Sequence, residues 1–508
     1  MSKKEPTNDK THKKSRLSTY DRENKILSPP LLRINKIGGG ITPSSWINDR
    51  LPNILWGILL RVQYPKDWQQ KYAEILEWLS AQKIDDKQKH ITHTDISELP
   101  MKIKKGFIER IVQTCGRKTF RPLLLIKCLP DYDIWNDAIG LKTREDDWQI
   151  LGKCVEPMLN HQSQEATDVR WMKVFARIFI SHDVIIYDKL NELKNYPHEG
   201  NQRTVSPSIR AMEIGISLIN DKSSKWCEEF WSYCLTNTEC VPMFDPDVLS
   251  KQLVKVSSEN YQTYNNKISA TRLALIEHFH DSIKTTAIDS KFETIFGMAQ
   301  YAIDNASECL LSRTSTMISG RITVRILLEV YITLKYLISH DKGSECQLWD
   351  TYREYGYGQY SLIDSKYKEN DLHSSIVYTP LVELIANEEK SAEFTPINLG
   401  NWDKLNLRKM SEEVDEKPLY DKYYDYASGF MHANWGAVRE SSMQKCLNPL
   451  HRLHNIPAWG LLVLPNAYED INILIDKIIG LVEDQYHGIL SKIDSFKENI
   501  SKEQRTAL

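Results

Sequence analysis

Apolar residues in this chain recur mostly at intervals of three and four, the spacing of one helical face, and seldom alternate as a half-buried strand requires. One stretch departs from both patterns. Between Ile322 and Leu337 nearly every side of a helical wheel carries Ile, Leu, Val or Tyr, which predicts a helix buried all round. Arg321, Arg325 and Glu329 interrupt it at intervals of four and form one stripe, with Arg325 and Glu329 a single turn apart. Charges left unpaired in such surroundings are costly, so the fold has to bring partners to this stripe.

Upstream, SSWINDRLPNILWGILL predicts a helix with Ser45 or Asn48 as its cap; Tyr64-Pro65 breaks it before Trp68, Tyr72, Ile75, Leu76 and Leu79 recur at helical spacing. Ile103 to Val112 reads as a further helix. The run LLLIKCLPDYDIW, ended by Pro130, fits a strand or a buried helix, with helix preferred. Trp171, Val174, Phe175, Ile178 and Phe179 share one face, and Ser206-Pro207 and Asp245-Pro246 read as caps followed by a first-turn proline. After the polar stretch Ser257 to Asn266 the predicted helices lengthen, to roughly 267–284, 290–311, 316–338 and 346–368. A short helix from Pro380, one element from Tyr420 to Glu440 and a final long helix with Ile471 to Ile493 on its apolar side complete the chain. No repeat of fixed period is present. The expectation is an all-α protein: residues 1–40 a disordered basic tail with a joint at Gly38–Gly40, 41–260 a mainly helical domain of unassigned role, and 261–508 a helical bundle.

Composition narrows the classes of function. A chain of 508 residues with 41% hydrophobic and 26% charged residues suits a globular protein of two or three domains. A net charge of -3 makes no general demand for nucleic acid or an acidic membrane. With no apolar run of membrane-spanning length and no apolar signal core in MSKKEPTNDKTHKKSR, a cytoplasmic protein without membrane contact is expected. Nine cysteines without any CxxC imply reduced thiols, and Cys227, Cys234 and Cys240 are spaced wrongly for a zinc motif, so they read as structural. No metal or cofactor is expected. The absence of GxxxxGK(S/T) and GxGxxG leaves ATP and NAD unsupported, and GxSxG, HExxH and DxDxDG are missing too.

Tyr420, Tyr424, Ser428 and His432 form a second four-spaced row, bearing hydroxyls and an imidazole, and Gly429 beside them would let a neighbouring helix come close. Rows of this kind interdigitate where helices cross at about 50°, which makes this row the candidate partner of Arg321, Arg325 and Glu329. Two readings stand. The rows form a structural polar network, with Glu329 bonded to Arg325 and to Tyr424 or Tyr426. Alternatively, His432 is an acid/base group beside arginines that stabilise charge developing on a phosphate.

The R-x3-R-x3-E helix followed about a hundred residues later by Y-x3-S-x3-H resembles an uncharacterised bacterial domain family. That family is in turn distantly similar to the HEPN superfamily and to AbiV-type abortive-infection proteins; the likeness spans about residues 267–440. It implies a HEPN-like helical bundle, often dimeric, and in many members a metal-independent ribonuclease of antiviral defence. Such nucleases carry Arg and His four to six residues apart on one helix, and no Arg lies in that window before His432, so Arg321 or Arg325 would have to serve. The resemblance therefore implies a defence effector acting on RNA. In it His432 is the acid/base group, Arg321 and Arg325 are phosphate clamps, and Tyr424, Ser428 and Glu329 orient them. RNA or a nucleotide and a defence-system protein are the expected partners, within a homodimer or higher oligomer. The alternative is a non-catalytic nucleotide- or protein-binding scaffold or sensor.

Three further patterns are weaker. Arg177 and His182 match the Arg-x4-His spacing by coincidence. His451, Arg452 and His454 read as a surface loop, with metal or phosphate contact the lesser alternative. The run YREYGYGQY could stack bases beside Arg353, although tyrosines at this spacing more often line a core or an interface.

Overall fold

The computed structural model describes residues 20–23, 26–28, 44–82, 91–181, 193, 196–197, 202–220, 225–245, 247–248, 251, 255, 260–343, 347–390 and 394–506. The protein is all-α, with two short ribbons among the described residues. Among the described residues no helix is long and apolar enough to cross a membrane. The chain forms two compact units, Met1–Val241 with Lys445–His454, and Pro242–Gln444 with Asn455–Leu508. The first unit ends at Val241, and the ten residues Lys445–His454 join it from later in the chain.

In the first unit, β1 (Asp21–Glu23) and β2 (Ile26–Ser28) pair antiparallel. That ribbon falls within the expected tail; the rest of the tail, the glycine joint and His182 lie outside the described residues. The helices are α1 (Leu55–Gln63), α2 (Trp68–Ser80), α3 (His93–Glu98), α4 (Met101–Cys115), α5 (Arg117–Phe120), α6 (Tyr132–Ile139), α7 (Asp146–Leu159), α8 (Gln164–Ser181), α9 (Gln202–Asn220) and α10 (Lys225–Asn237). Ser45 does cap, its Oγ accepting from Asn48 N at 3.2 Å, but it opens a one-turn π-helix. Pro52, which has no N–H, starts a 3₁₀ turn before α1 can begin. In α2 the five positions predicted from spacing, Trp68, Tyr72, Ile75, Leu76 and Leu79, are all buried. The ambiguous run becomes a 3₁₀ turn over Arg121–Leu125 followed by α6. Pro207 starts no helix; α9 begins five residues earlier and carries it inside.

A buried carboxylate organises this core. Glu213 is fully buried and meets Lys173 Nζ at 2.8 Å, Arg50, and Arg170 Nε at 3.7 Å. Burial alone would raise its carboxyl; Lys173, Arg50 and Arg170 together hold it below the ordinary carboxylate range. His93 is also buried, edge-on to Trp135 and Trp226 with centroids 5.5 and 5.8 Å away, and neither ring nitrogen has a hydrogen-bond partner.

The second unit contains α11 (Tyr261–Ser282), α12 (Ser290–Leu311), α13 (Ile318–Ser339), α14 (Leu348–Glu369), α15 (Thr379–Ala386), α16 (Leu407–Glu413), α17 (Lys417–Met431), α18 (Trp435–Ser442), α19 (Tyr468–Gln485) and α20 (Ile489–Thr506). The second ribbon consists of β3 (Met443–Lys445) and β4 (Asn455–Pro457). Helix α13 is central: α12, α16, α17 and α19 pack against it, and Leu327, Leu328, Ile332, Leu334 and Leu337 are wholly enclosed. Two elements expected to be continuous are broken. Ala433, at φ +49°, separates α17 from α18. Gly488, at φ +114°, separates α19 from α20, and the Glu483 carboxylate accepts from Gly488 N at 3.0 Å and Leu490 N at 3.1 Å to start the second helix.

Candidate functional site

The charged stripe of α13 does meet the hydroxyl row of α17 inside the second unit. Arg325, 8% exposed, donates from Nε to Ser428 Oγ at 3.0 Å and from Nη1 to Glu329 Oε2 at 2.5 Å. Its guanidinium lies 4.1 Å from the centre of the Tyr424 ring, which stacks on Tyr420 at 4.3 Å. The four-residue spacing on both helices produces this contact directly, since each row lies along one face. Burial, then Tyr424 and Asp425, pushes the Tyr420 phenol up. Glu329 points outward, its side chain 54% exposed.

Arg321 takes no part in this cluster. It donates to Ser315 O at 2.8 Å, to Met317 O at 3.4 Å and to Pro465 O, clasping the turn that precedes α13. Ala467 N and Leu464 N complete that clasp, donating to Ser315 O at 3.1 Å and Thr316 O at 2.9 Å. Such carbonyl contacts satisfy a guanidinium without any anion. At the base of α17 a separate network joins three helices: Glu416 accepts from Tyr331 Oη and Lys335 Nζ, each at 2.6 Å, with Lys477 3.7 Å away. Burial raises the Glu416 carboxyl less than Lys335, Tyr331 and Lys477 lower it.

His432 ends the row differently from the others. It is the C-terminal cap of α17, its N–H bonded to Ser428 O at 3.0 Å, and it is exposed. Among the described hydrogen bonds and ion pairs its ring has none, with either arginine or with Ser428. The helix stops at Met431, so the imidazole leaves the half-buried row that Tyr424 and Ser428 share. Gly429 is not the point of close approach either, because an added Cβ there would find only ordinary contacts at 3.9 Å. The close approaches are at Gly320, where a Cβ would lie 2.6 Å from Ser315 O, and at Gly358, 2.5 Å from Pro396 O.

Glu329 also borders a groove of about 700 Å³ between α12, α13 and α14. Tyr301, Tyr352, Tyr355, Tyr360 and Trp402 form its aromatic walls, and Met298, Ile326 and Val330 its apolar floor. Tyr352 and Trp402 meet edge to face at 5.2 Å, and burial, then Glu329 and Tyr301, raises the Tyr352 phenol. The tyrosine run thus does line a cavity. Its cation is engaged, however: Arg353 pairs with Glu293 at 2.7 Å and with Glu389, and donates to Tyr357 Oη at 2.9 Å. The spacing within YREYGYGQY signals the tyrosine face; Tyr301 and Trp402 come from distant segments and carry no local signal.

Cys227 and Cys234 are buried in the first unit, with Cys227 Sγ donating to Asp49 O at 3.2 Å, while Cys240 is exposed and stands near His451 and His454. The sequence grouped the three cysteines together and left the histidines apart. Only C-x4-H-x2-H at Cys446, His451 and His454 signals otherwise, and its fourth member lies 211 residues before His451.

Residues 292–446, which run from α12 through α18 and hold both the stripe and the groove, match a family described as a family of unknown function (DUF5677). No curated protein and no solved structure matches the chain.

Proposed function

We propose that the bundle of the second unit is a non-catalytic binding module for a protein partner, whose cationic or aromatic side chains enter the tyrosine groove. One observation carries this reading: the groove offers aromatic walls, with Tyr352 and Trp402 edge to face, and a half-exposed carboxylate, Glu329, while its own cation is neutralised between two glutamates. Tyrosine faces and carboxylates attract Lys and Arg side chains, and such a lining repels phosphate. The polar stripe then has a structural task, fixing how α13 and α17 pack. The test is fluorescence anisotropy with a labelled oligo-arginine peptide and a labelled oligo-uridine. The full chain should bind the peptide, lose it in Tyr301→Ala, and ignore the oligonucleotide. Binding of the oligonucleotide alone would overturn the reading.

The resemblance to HEPN and AbiV-type proteins supports a second reading, a defence effector that cleaves RNA without metal. Its supporting observation is His432, an exposed imidazole whose ring has no hydrogen-bond or ion-pair partner among the described residues, one turn beyond the Ser428–Arg325 contact. In this reading the 2′-hydroxyl loses its proton to His432 as its oxygen bonds to phosphorus, the P–O5′ bond breaks, the departing 5′-oxygen takes a proton from solvent water, and Arg325 balances charge on the phosphate after releasing Glu329. Purified protein should then cleave RNA in EDTA, and His432→Ala should lose cleavage with its melting temperature unchanged. The structural reading expects no cleavage, no effect of His432→Ala, and a loss of about 1–3 kcal/mol in Arg325→Ala, which strips Ser428 and Tyr424 of their partner.

A further inference from the structure

In the first unit, Cys240 just beyond α10 faces Cys446, His451 and His454 from the segment Lys445–His454. One ligand atom from each lies within 4.8 Å of all the others. Cys240 Sγ is 3.4 Å from His451 Nδ1 and 3.3 Å from His454 Nε2, and Cys446 Sγ is 3.4 Å from the same Nδ1. A tetrahedral zinc ion with Zn–S of about 2.3 Å and Zn–N of about 2.0 Å sets its sulfur–nitrogen edges at roughly 3.5 Å. The three sulfur–nitrogen distances fit that figure.

The surroundings prepare these atoms as ligands. Thr238 Oγ1 donates its only proton to Cys234 O at 2.8 Å, so at its 2.9 Å contact with His451 Nε2 the imidazole must be the donor. That fixes the tautomer and leaves the Nδ1 lone pair aimed at both sulfurs, the usual device for orienting a metal-bound histidine. Val241 N donates to Cys446 Sγ at 3.4 Å, a contact that stabilises a thiolate. The segment is held in place by its backbone as well: Leu447 N donates to Val241 O at 2.7 Å, Cys446 N to His454 O at 3.0 Å, and Asn448 Nδ2 to Glu239 O at 2.8 Å. Cys446 and His451 are buried, and Leu450 between them enters the core of the unit.

We propose that Cys240, Cys446, His451 and His454 bind a structural zinc ion that clips the segment 445–454 to the end of α10. Two thiolates and two imidazoles in a tetrahedron select zinc among common divalent ions, and four protein ligands leave no position for substrate, which marks the site as structural. The proposal is independent of what the groove of the second unit binds.

Elemental analysis of the full chain, purified without a polyhistidine tag, should find about one zinc ion per chain. Cys240→Ser and His454→Ala alter the less buried pair and should lose the metal with helical circular dichroism retained; Cys128→Ser should keep it. Cobalt exchanged into the native protein should give the intense visible bands of a tetrahedral ion and a thiolate charge-transfer band in the near ultraviolet. A native chain without zinc, a Cys240–Cys446 disulfide in its place, zinc retained in both ligand variants, or the weak spectrum of octahedral cobalt would each overturn the proposal.

Discussion

At His93 burial has a direct consequence for pH. With no hydrogen bond to either nitrogen, desolvation lowers the imidazole from its ordinary 6.5 to about 3. The folded protein therefore holds this ring neutral, whereas the unfolded chain takes up a proton below pH 6.5. Stability from this group is complete above pH 6.5 and falls as the pH drops, ceasing to fall only near 3. Between pH 6.5 and 4.5 the loss should be about 2–3 kcal/mol. His93→Phe, which keeps the edge-on packing between two tryptophans and removes two orphaned nitrogens, should flatten that slope in urea melts; an unchanged slope would assign the acid sensitivity elsewhere. Nothing in the sequence marks His93, since its environment comes from Trp135 and Trp226, far along the chain. Arg325, Tyr424 and Ser428 were legible because helical spacing alone places them on facing stripes. Arg321 and His432 were misplaced by the same rule, which says nothing about a turn that offers carbonyls or a helix that ends one residue early.

Among the elements, glycines separate close packing from mere proximity. Gly358→Ala would force α14 away from Pro396, and Gly320→Ala would drive a methyl group into Ser315 O, beside the Arg321 clasp. Each should cost about 1–3 kcal/mol in the thermal unfolding of the second unit. Gly429→Ala, on a helix with room for the methyl, should instead stabilise by up to about 1 kcal/mol. Equal effects at all three positions would show that backbone approach is not what distinguishes them. Helix existence was readable from apolar spacing almost throughout α2, α12, α13 and α14. Breaks at Ala433 and Gly488 were not, because apolar residues continue in phase across both and the interruption depends on single left-handed residues.

On the scale of the molecule, each unit has its own buried core and its own charge arrangement. Glu213→Gln would leave Lys173, Arg50 and Arg170 buried around a neutral amide, at a cost of about 3–5 kcal/mol. Hydrogen exchange should then accelerate in α8 and α9 and stay unchanged in α13 and α19; a uniform response would show that the two cores unfold as one. The all-α class was evident from periodicity, but the assignment of 445–454 to the first unit was hidden, since neither Leu450 nor the two histidines differ locally from loop residues. That return of the chain bears on how the protein is made. The ribosome has synthesised α11 to α18 before it releases the segment that completes the first core, so the earlier unit has to wait, partly assembled, until most of the later one has emerged.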